Sequence, residues 1–283
     1  MKRRKVVEER FFKYLLGIFT YGLILILFFI VFEILKKGVP ALSWEMISEV
    51  PKGGFYFGKE GGILNAIVGS LYLALGASVI AIVVSLPVAL FMNISLVRHE
   101  NILSSIRLVL DLLWGVPPIV YGAFAFSIMI IFGLKASLLA GILTISFLIM
   151  PVMIRAMDEV LRNIPLGLLE STLSMGATRF EVAGIFFRQA LPGIATAFLL
   201  GFGKGIGDTA AVLFTAGYTD YVPERLNEPA ATLPLAIFYQ LSSPIEEVKA
   251  RAYAAAVVLT AFILVISIVS RYLSSKVSKN TVS

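Results

Sequence analysis

The sequence contains no cysteine and only one histidine, His99, among its 283 residues. Without cysteine there is no disulfide framework, no thiolate nucleophile and no cysteine-based zinc site. A single histidine also excludes a multi-histidine metal site. Charge is scarce too, because 15% of the residues are charged and 58% are hydrophobic, whereas soluble domains average about 25% charged residues. These shortages exclude a disulfide-stabilised fold and a soluble globular domain, and they indicate a polytopic membrane protein.

Long apolar runs account for most of the chain. A bilayer core about 30 Å thick is crossed by roughly 20 helical residues. The runs that contain almost no charge are 14–32, 63–92, 112–134, 137–154, 192–215 and 252–270. The fifth of them is interrupted by Lys204 and Asp208. We therefore predict an all-α, polytopic membrane helical bundle with six transmembrane helices.

Basic residues are distributed unevenly between the segments that join these runs. On the side of the N-terminus, 15 Lys or Arg residues occur in the segments 1–13, 93–111, 155–191 and 271–283. On the other side, eight occur in the segments 33–62, 135–136 and 216–251. Because basic residues favour the cytoplasmic side, we expect both termini in the cytoplasm. The expected division is one transmembrane domain, 14–273, with cytoplasmic tails 1–13 and 274–283 and outer loops 33–62 and 216–251.

Residues 158–190, here called the arm, are polar and helix-patterned although they lie between two apolar runs. Pro165 suits the first turn of a helix, and Gly176 suits a left-handed helix stop. Thr178 and Glu181 have the spacing of a capping box that starts a second helix. The expected apolar stripes are Leu166, Leu169 and Leu173 on the first helix and Phe180, Ala183, Phe187 and Leu191 on the second. Such a hairpin either packs against its own bundle or docks on a soluble partner.

Several charged residues lie within or beside the apolar runs. Lys204 and Asp208 are four residues apart, so they either pair with each other or mark a path for an anion, because a charge at mid-bilayer costs about 2.5–3.5 kcal/mol. Arg155 is expected to reach the inner interface, where it can also meet a departing anion. Arg107 and Asp111 have the spacing of an intrahelical ion pair.

Glycine and proline give two further indications. Gly201/Gly205 and Gly203/Gly207 are overlapping pairs that permit close helix contact. Pro117 and Pro118 remove two backbone donors and predict a kink within the third run, on a translocation path or as a plain bend.

No segment matches a phosphate-binding P-loop, so we expect no ATP hydrolysis by this chain. An aromatic group at an outer interface is expected from Trp44, Phe55, Tyr56 and Phe57.

Several motifs resemble those of the permeases of binding-protein-dependent ABC importers, and most of all the phosphate permeases of the PstA type. In the arm, Glu170-Ser171-Thr172, three residues and then Gly176-Ala177-Thr178-Arg179 resemble the family's EAA loop. Further resemblances occur at 61–63, 115–122, 150–156 and 207–217. Ser171-Thr172 stands where the family usually has an alanine pair, and Lys204 and Asp208 stand where it usually has Arg and Glu.

The resemblance implies a type I, MetI-like importer architecture in a prokaryotic cytoplasmic membrane. Its implied partners are membrane lipid, a second homologous permease subunit, two cytoplasmic ABC ATPase subunits and an extracytoplasmic phosphate-binding protein, with no nucleic acid. It implies no cofactor on this chain, since ATP and Mg belong to the ATPases. The ATPase-docking residues would be Glu170, Ser171, Thr172, Gly176, Ala177, Thr178 and Arg179. Substrate passage or gating would involve Lys204, Asp208 and Arg155.

Two other functions remain compatible with the sequence. One is a permease of the same superfamily for another oxyanion such as molybdate or sulfate. The other is a secondary transporter or membrane scaffold that works without an ATPase, against which the arm and the lack of inverted repeats argue.

Overall fold

The computed structural model describes residues 2–52 and 60–278 and is helical almost throughout. In chain order the elements are α1 (Lys2–Gly38), a 3-10 helix (Val39–Ala41), α2 (Trp44–Ser48), β1 (Pro51–Lys52), β2 (Glu60–Gly61), α3 (Leu64–Ile94), α4 (Glu100–Gly115), α5 (Pro118–Ile131), α6 (Leu138–Arg162), α7 (Leu166–Ser174), α8 (Arg179–Gly207), α9 (Leu233–Leu241) and α10 (Glu246–Ser278). The two strands form a short antiparallel pair with Pro51 opposite Gly61. The expected helical bundle is confirmed, with this small hairpin in addition.

Five segments of the described chain are long and apolar enough to cross a membrane. They are Glu9–Ala41, Leu64–Ile94, Leu138–Arg162, Arg179–Gly207 and Glu246–Tyr272. Helices α4 and α5 meet the same criteria when they are taken together, with a bend of 92° between them, so the count is six if this pair is one broken span. Residues 2–13, expected as a tail, continue helix α1. Phe55, Tyr56 and Phe57 lie outside the described residues, and Trp44 is exposed on α2.

Helix α6 forms the centre of the bundle. Ile145, Ile149, Met153 and Met157 recur every four residues along one face of α6 and are completely buried. They pack in one core with residues of α3 and α8. Since lipid is as apolar as these side chains, close packing rather than the hydrophobic effect favours this arrangement. The rest of the bundle surrounds this three-helix core, with α1 at the periphery.

The fifth expected span is confirmed as part of the helix Arg179–Gly207, but its expected end at 215 was wrong. Helix α8 ends at Gly207, which faces Ile263 near the middle of the apolar part of α10. Residues 208–232 continue mainly as turns and irregular chain. Their backbone groups are used inside the bundle; for example, the Ser137 N–H donates to the Thr215 carbonyl at 2.9 Å. Apolar composition alone does not distinguish such a buried irregular segment from a helix.

The bend between α4 and α5 follows from two adjacent prolines. Pro117 has no N–H to donate to the Leu113 carbonyl, the acceptor that a continuous helix would give it. The Tyr121 hydroxyl instead donates to that carbonyl at 2.9 Å, and the Val116 N–H donates to it at 3.3 Å. Helices α4 and α5 both pack against α6.

Candidate functional site

The arm consists of α7 and the first turns of α8, joined by a tight turn. Gly176 has a φ of 85°, in the left-handed region that favours glycine. Its N–H donates to the Leu173 carbonyl at 3.0 Å. Thr178 then caps α8, because its Oγ1 accepts from the Glu181 N–H at 3.3 Å while Glu181 Oε2 accepts from the Thr178 N–H at 2.7 Å. Local chemistry therefore sets both the stop of α7 and the start of α8.

One face of the arm packs against the bundle. On α7, Leu169 is buried and Leu173 is partly buried, whereas Leu166 is exposed. On α8 the buried residues are Val182, Phe186, Ala190 and Ile194. Of the expected stripe, Ala183 and Phe187 are partly buried against the core. Phe180 and Leu191 are exposed, at 87% and 48%, so the stripe as a whole is not the face that packs. The register of α8 is set by its contact with α6 and α3 over the whole helix, which a local apolar count does not reveal.

The tip of the arm faces away from the bundle. Met175 and Phe180 are 88% and 87% exposed, the largest values among the exposed apolar side chains. Glu170, Ser171 and Arg179 are also exposed, and Thr172 and Ala177 are half-buried. A compact surface that combines two large apolar side chains with both signs of charge is typical of a protein contact.

A network of ion pairs lies where α6 approaches the arm. The Asp158 carboxylate is completely buried and accepts from Arg107 Nε and Nη2, both at 2.8 Å. It also accepts from Arg155 Nη1 and from Asn93 Nδ2, each at 2.9 Å. Arg155 Nε donates to Asp111 at 2.6 Å. The network joins α3, α4 and α6, and its two arginines balance its two aspartates.

This network corrects the interpretation of the charges at the arm end of the bundle. The expected Arg107–Asp111 pair was wrong, because Arg107 reaches across to α6 and Asp111 binds Arg155. Arg155, expected at the interface or at a substrate exit, is held between two carboxylates. The sequence interpretation missed Asn93 and Asp158. Their signal was their position, since each is a polar residue directly after or near the end of a long apolar run.

Lys204 and Asp208 are not joined by an ion pair within 4 Å in the part of the chain that the structure describes. The i, i+4 expectation required a helix that continues through Asp208, whereas α8 ends one residue earlier. The Asp208 carboxylate instead accepts from the Ala211 N–H at 2.8 Å and starts the following turn. Lys204 is half-buried and lies close to Ile263 and Ile266, within the apolar part of α10.

The two glycine pairs of α8 serve two different neighbours. Gly201 lies against Met153 and Gly205 against Ile145, both on α6. Gly203 and Gly207 face Ile266 and Ile263 on α10. Close helix packing explains both pairs, and it places Lys204 between them at the contact of α8 with α10. Among the described residues there is no cluster of His, Asp or Glu that could hold a metal ion.

A family model described as "Binding-protein-dependent transport system inner membrane component" matches residues 85–279. The chain belongs to this family. The matched region contains the arm, the Asp158 network and Lys204. The chain is thus a multi-pass inner membrane component of a transport system, and the features described above lie within the part shared with the family.

Individual relatives agree with this assignment. The "Phosphate transport system permease protein PstA" of Pasteurella multocida is 31% identical over 254 residues, which cover 88% of each chain. A "Probable phosphate transport system permease protein PstA" of Methanocaldococcus jannaschii is 30% identical over 278 residues, 96% of this chain and 95% of that one. In fold, the chain is similar to a chain of the inward-facing MetNI methionine ABC transporter, with a TM-score of 0.62 and 18% identity over 76% of this chain and 95% of that chain. The expected MetI-like importer architecture is confirmed.

Proposed function

We propose that this ABC importer permease passes inorganic phosphate across the membrane. The observation that carries the proposal is the similarity to permeases named for phosphate transport, which extends over 88% or more of the chain in the two relatives above. The position of Lys204 supports it. An ammonium group on an apolar helix, with no ion pair within 4 Å among the described residues, favours the passage of an anion.

We further propose that the exposed tip of the arm docks on a cytoplasmic ATPase. Glu170, Ser171, Thr172, Gly176, Ala177, Thr178 and Arg179 would form this contact, with Met175 and Phe180 as its apolar anchors. The geometry that supports docking is the combination of a packed inner face with an unpacked outer face. Movement of the ATPase would then be transmitted through α8.

The remaining partners follow from the same assignment. We propose a second homologous permease, two ATPase subunits that bind the ATP and Mg, and an extracytoplasmic phosphate-binding protein. The termini and the arm would lie in the cytoplasm. Lys204 and Asp208 would contact or gate the anion, whereas Arg155 would act indirectly by anchoring α6 to α4.

Uptake by a reconstituted importer tests the substrate. Vesicles that contain this chain with its sister permease, its ATPases and its binding protein should accumulate radiolabelled phosphate only when ATP is present, and Lys204→Gln should reduce this uptake. Lys135→Gln, which removes a cation from the loop between α5 and α6, is the matched control. Competition by sulfate or molybdate at lower concentration than unlabelled phosphate would show that the substrate is another oxyanion.

Labelling of a single cysteine tests the orientation. The chain has no native cysteine, so a Thr178→Cys variant carries one thiol at the arm. A membrane-impermeant maleimide should label it in inside-out vesicles and not in intact cells. Labelling in intact cells would contradict the proposed docking of a cytoplasmic ATPase.

A further inference from the structure

A groove of about 630 Å³ lies between α8 and α10, on the arm side of the point where Gly207 meets Ile263. Helix α8 contributes Lys204 and Thr196 to it, and α10 contributes Ser267, Ser270 and Arg271. The lining positions recur on both helices at spacings of three and four residues, so each helix presents one continuous face to the groove. The polar side chains are concentrated in a bundle region that is otherwise apolar.

The two cations of this groove lack carboxylate partners. Neither Lys204 nor Arg271 forms an ion pair within 4 Å with any residue that the structure describes. The hydroxyls of Ser267 and Ser270 likewise donate no hydrogen bond there, whereas the Thr196 hydroxyl donates to the Pro192 carbonyl at 3.0 Å. The groove therefore offers two positive charges and two unused hydroxyl donors.

We propose that the α8–α10 groove binds a phosphate group, with Arg271 and Lys204 as its cations and Ser267 and Ser270 as hydroxyl donors. The five N–H donors of a guanidinium match the several acceptor oxygens of a phosphate. Lys204 and Arg271 line the same groove from two helices, so a phosphate group bound there meets positive charge from both sides. The Asp208 carboxylate, four residues after Lys204, accepts from the Ala211 N–H and attracts the Lys204 ammonium from beyond ion-pair distance. With two cations against this one carboxylate, the groove keeps a net positive charge.

The phosphate group has two possible sources with the same chemistry. One is inorganic phosphate on its way to the arm side of the membrane, and this form rests on the proposed function. The other is the headgroup of an anionic phospholipid, which does not depend on it. In both cases Arg271 is the binding residue that the sequence did not indicate.

Binding measurements on the full-length chain separate the two sources. Equilibrium binding of radiolabelled inorganic phosphate is measured in nanodiscs of phosphatidylcholine. Retention of phosphatidylglycerol is measured by native mass spectrometry after purification from mixed lipid. Arg271→Gln should weaken the binding of either inorganic phosphate or phosphatidylglycerol by about tenfold or more, because it removes a charged hydrogen-bond partner. Arg271→Lys should restore part of the loss.

The matched control is Arg188→Gln, which removes an exposed arginine of α8 outside the groove. The double variant Ser267→Ala/Ser270→Ala provides a second route if Arg271→Gln does not fold, and about a fivefold weakening is expected. The proposal is overturned if neither phosphate nor phosphatidylglycerol binding changes relative to the control. Phosphate uptake by the wild-type importer is measured in parallel, so that failure of the groove and failure of the proposed substrate give different results.

Discussion

Replacing Asp158 by alanine tests whether the buried network holds α3, α4 and α6 together. The substitution removes the acceptor of four hydrogen bonds, from Asn93, Arg155 and twice from Arg107. Arg155 keeps its contact with Asp111, but Arg107 is left without any carboxylate partner in the described part of the chain. The Arg107 side chain is only 20% exposed, so water replaces the lost contacts poorly.

The expected loss of folding stability is large because the buried charge of Arg107 is left unpaired. Removing one partner of a buried ion pair typically costs about 3–5 kcal/mol. Asp158→Asn should be nearly as harmful, since it keeps the shape and removes the negative charge that balances two arginines. Asp111→Asn is the matched control. Asp111 is 48% exposed and has a single partner, so its removal should cost about 1 kcal/mol or less.

Unfolding of the purified chain in one detergent, titrated with a denaturing detergent, compares the three variants with the wild type. The order of stability should be wild type, then Asp111→Asn, with both Asp158 variants well below. If Asp158→Ala unfolds at the same midpoint as Asp111→Asn, the network does not stabilise the bundle in the way its geometry indicates.

Three further predictions concern the arm and the bend. Gly176→Val should weaken binding of the ATPase subunit and uncouple uptake, because a residue other than glycine costs about 1–2 kcal/mol in the left-handed region. The control is Gly167→Val on helix α7, where the added side chain is equally uncrowded, and this variant should bind the ATPase as the wild type does. Equal binding by both variants would contradict the role of the turn. Thr178→Ala should lower the hydrogen-exchange protection of the amides at the start of α8 by about 1 kcal/mol, whereas Thr178→Ser should preserve it. Unchanged protection in the alanine variant would mean that the capping box is not formed. Tyr121→Phe should destabilise the bundle by about 1 kcal/mol, because the Leu113 carbonyl loses a donor, and an unfolding midpoint equal to that of the wild type would show that water or another group replaces the hydroxyl.

Features set by local chemistry could be predicted from the sequence. The capping box of Thr178 and the left-handed Gly176 depend only on residues a few positions apart, so their spacing is sufficient. The bend at Pro117 and Pro118 likewise follows from two missing N–H groups. Helices long enough to span a membrane were recognisable for a different reason, because the bilayer excludes charge over a known length.

Features that depend on packing between distant segments could not be predicted. The partner of Arg107 is 51 residues away on α6, and nothing in a helical period of four distinguishes it from Asp111. The core face of α8 depends on which helices surround it. The end of α8 at Gly207 is similar. Residues 209–216 continue the apolar run beyond it, and the Thr215 carbonyl finds its backbone partner at Ser137 instead of within a helix.

The continuity of α8 has a geometric consequence for transport. Arg179 at the tip of the arm and Lys204 in the apolar layer lie on one unbroken helix of 29 residues, about 37 Å apart at a rise of about 1.5 Å per residue. Pro192 removes one hydrogen bond within it without ending it. If this rod pivots at its arm end, a rotation of about 10° displaces the Lys204 backbone by about 6 Å. A modest change of angle outside the membrane is thereby sufficient to carry a positive charge through more than the pitch of one helical turn.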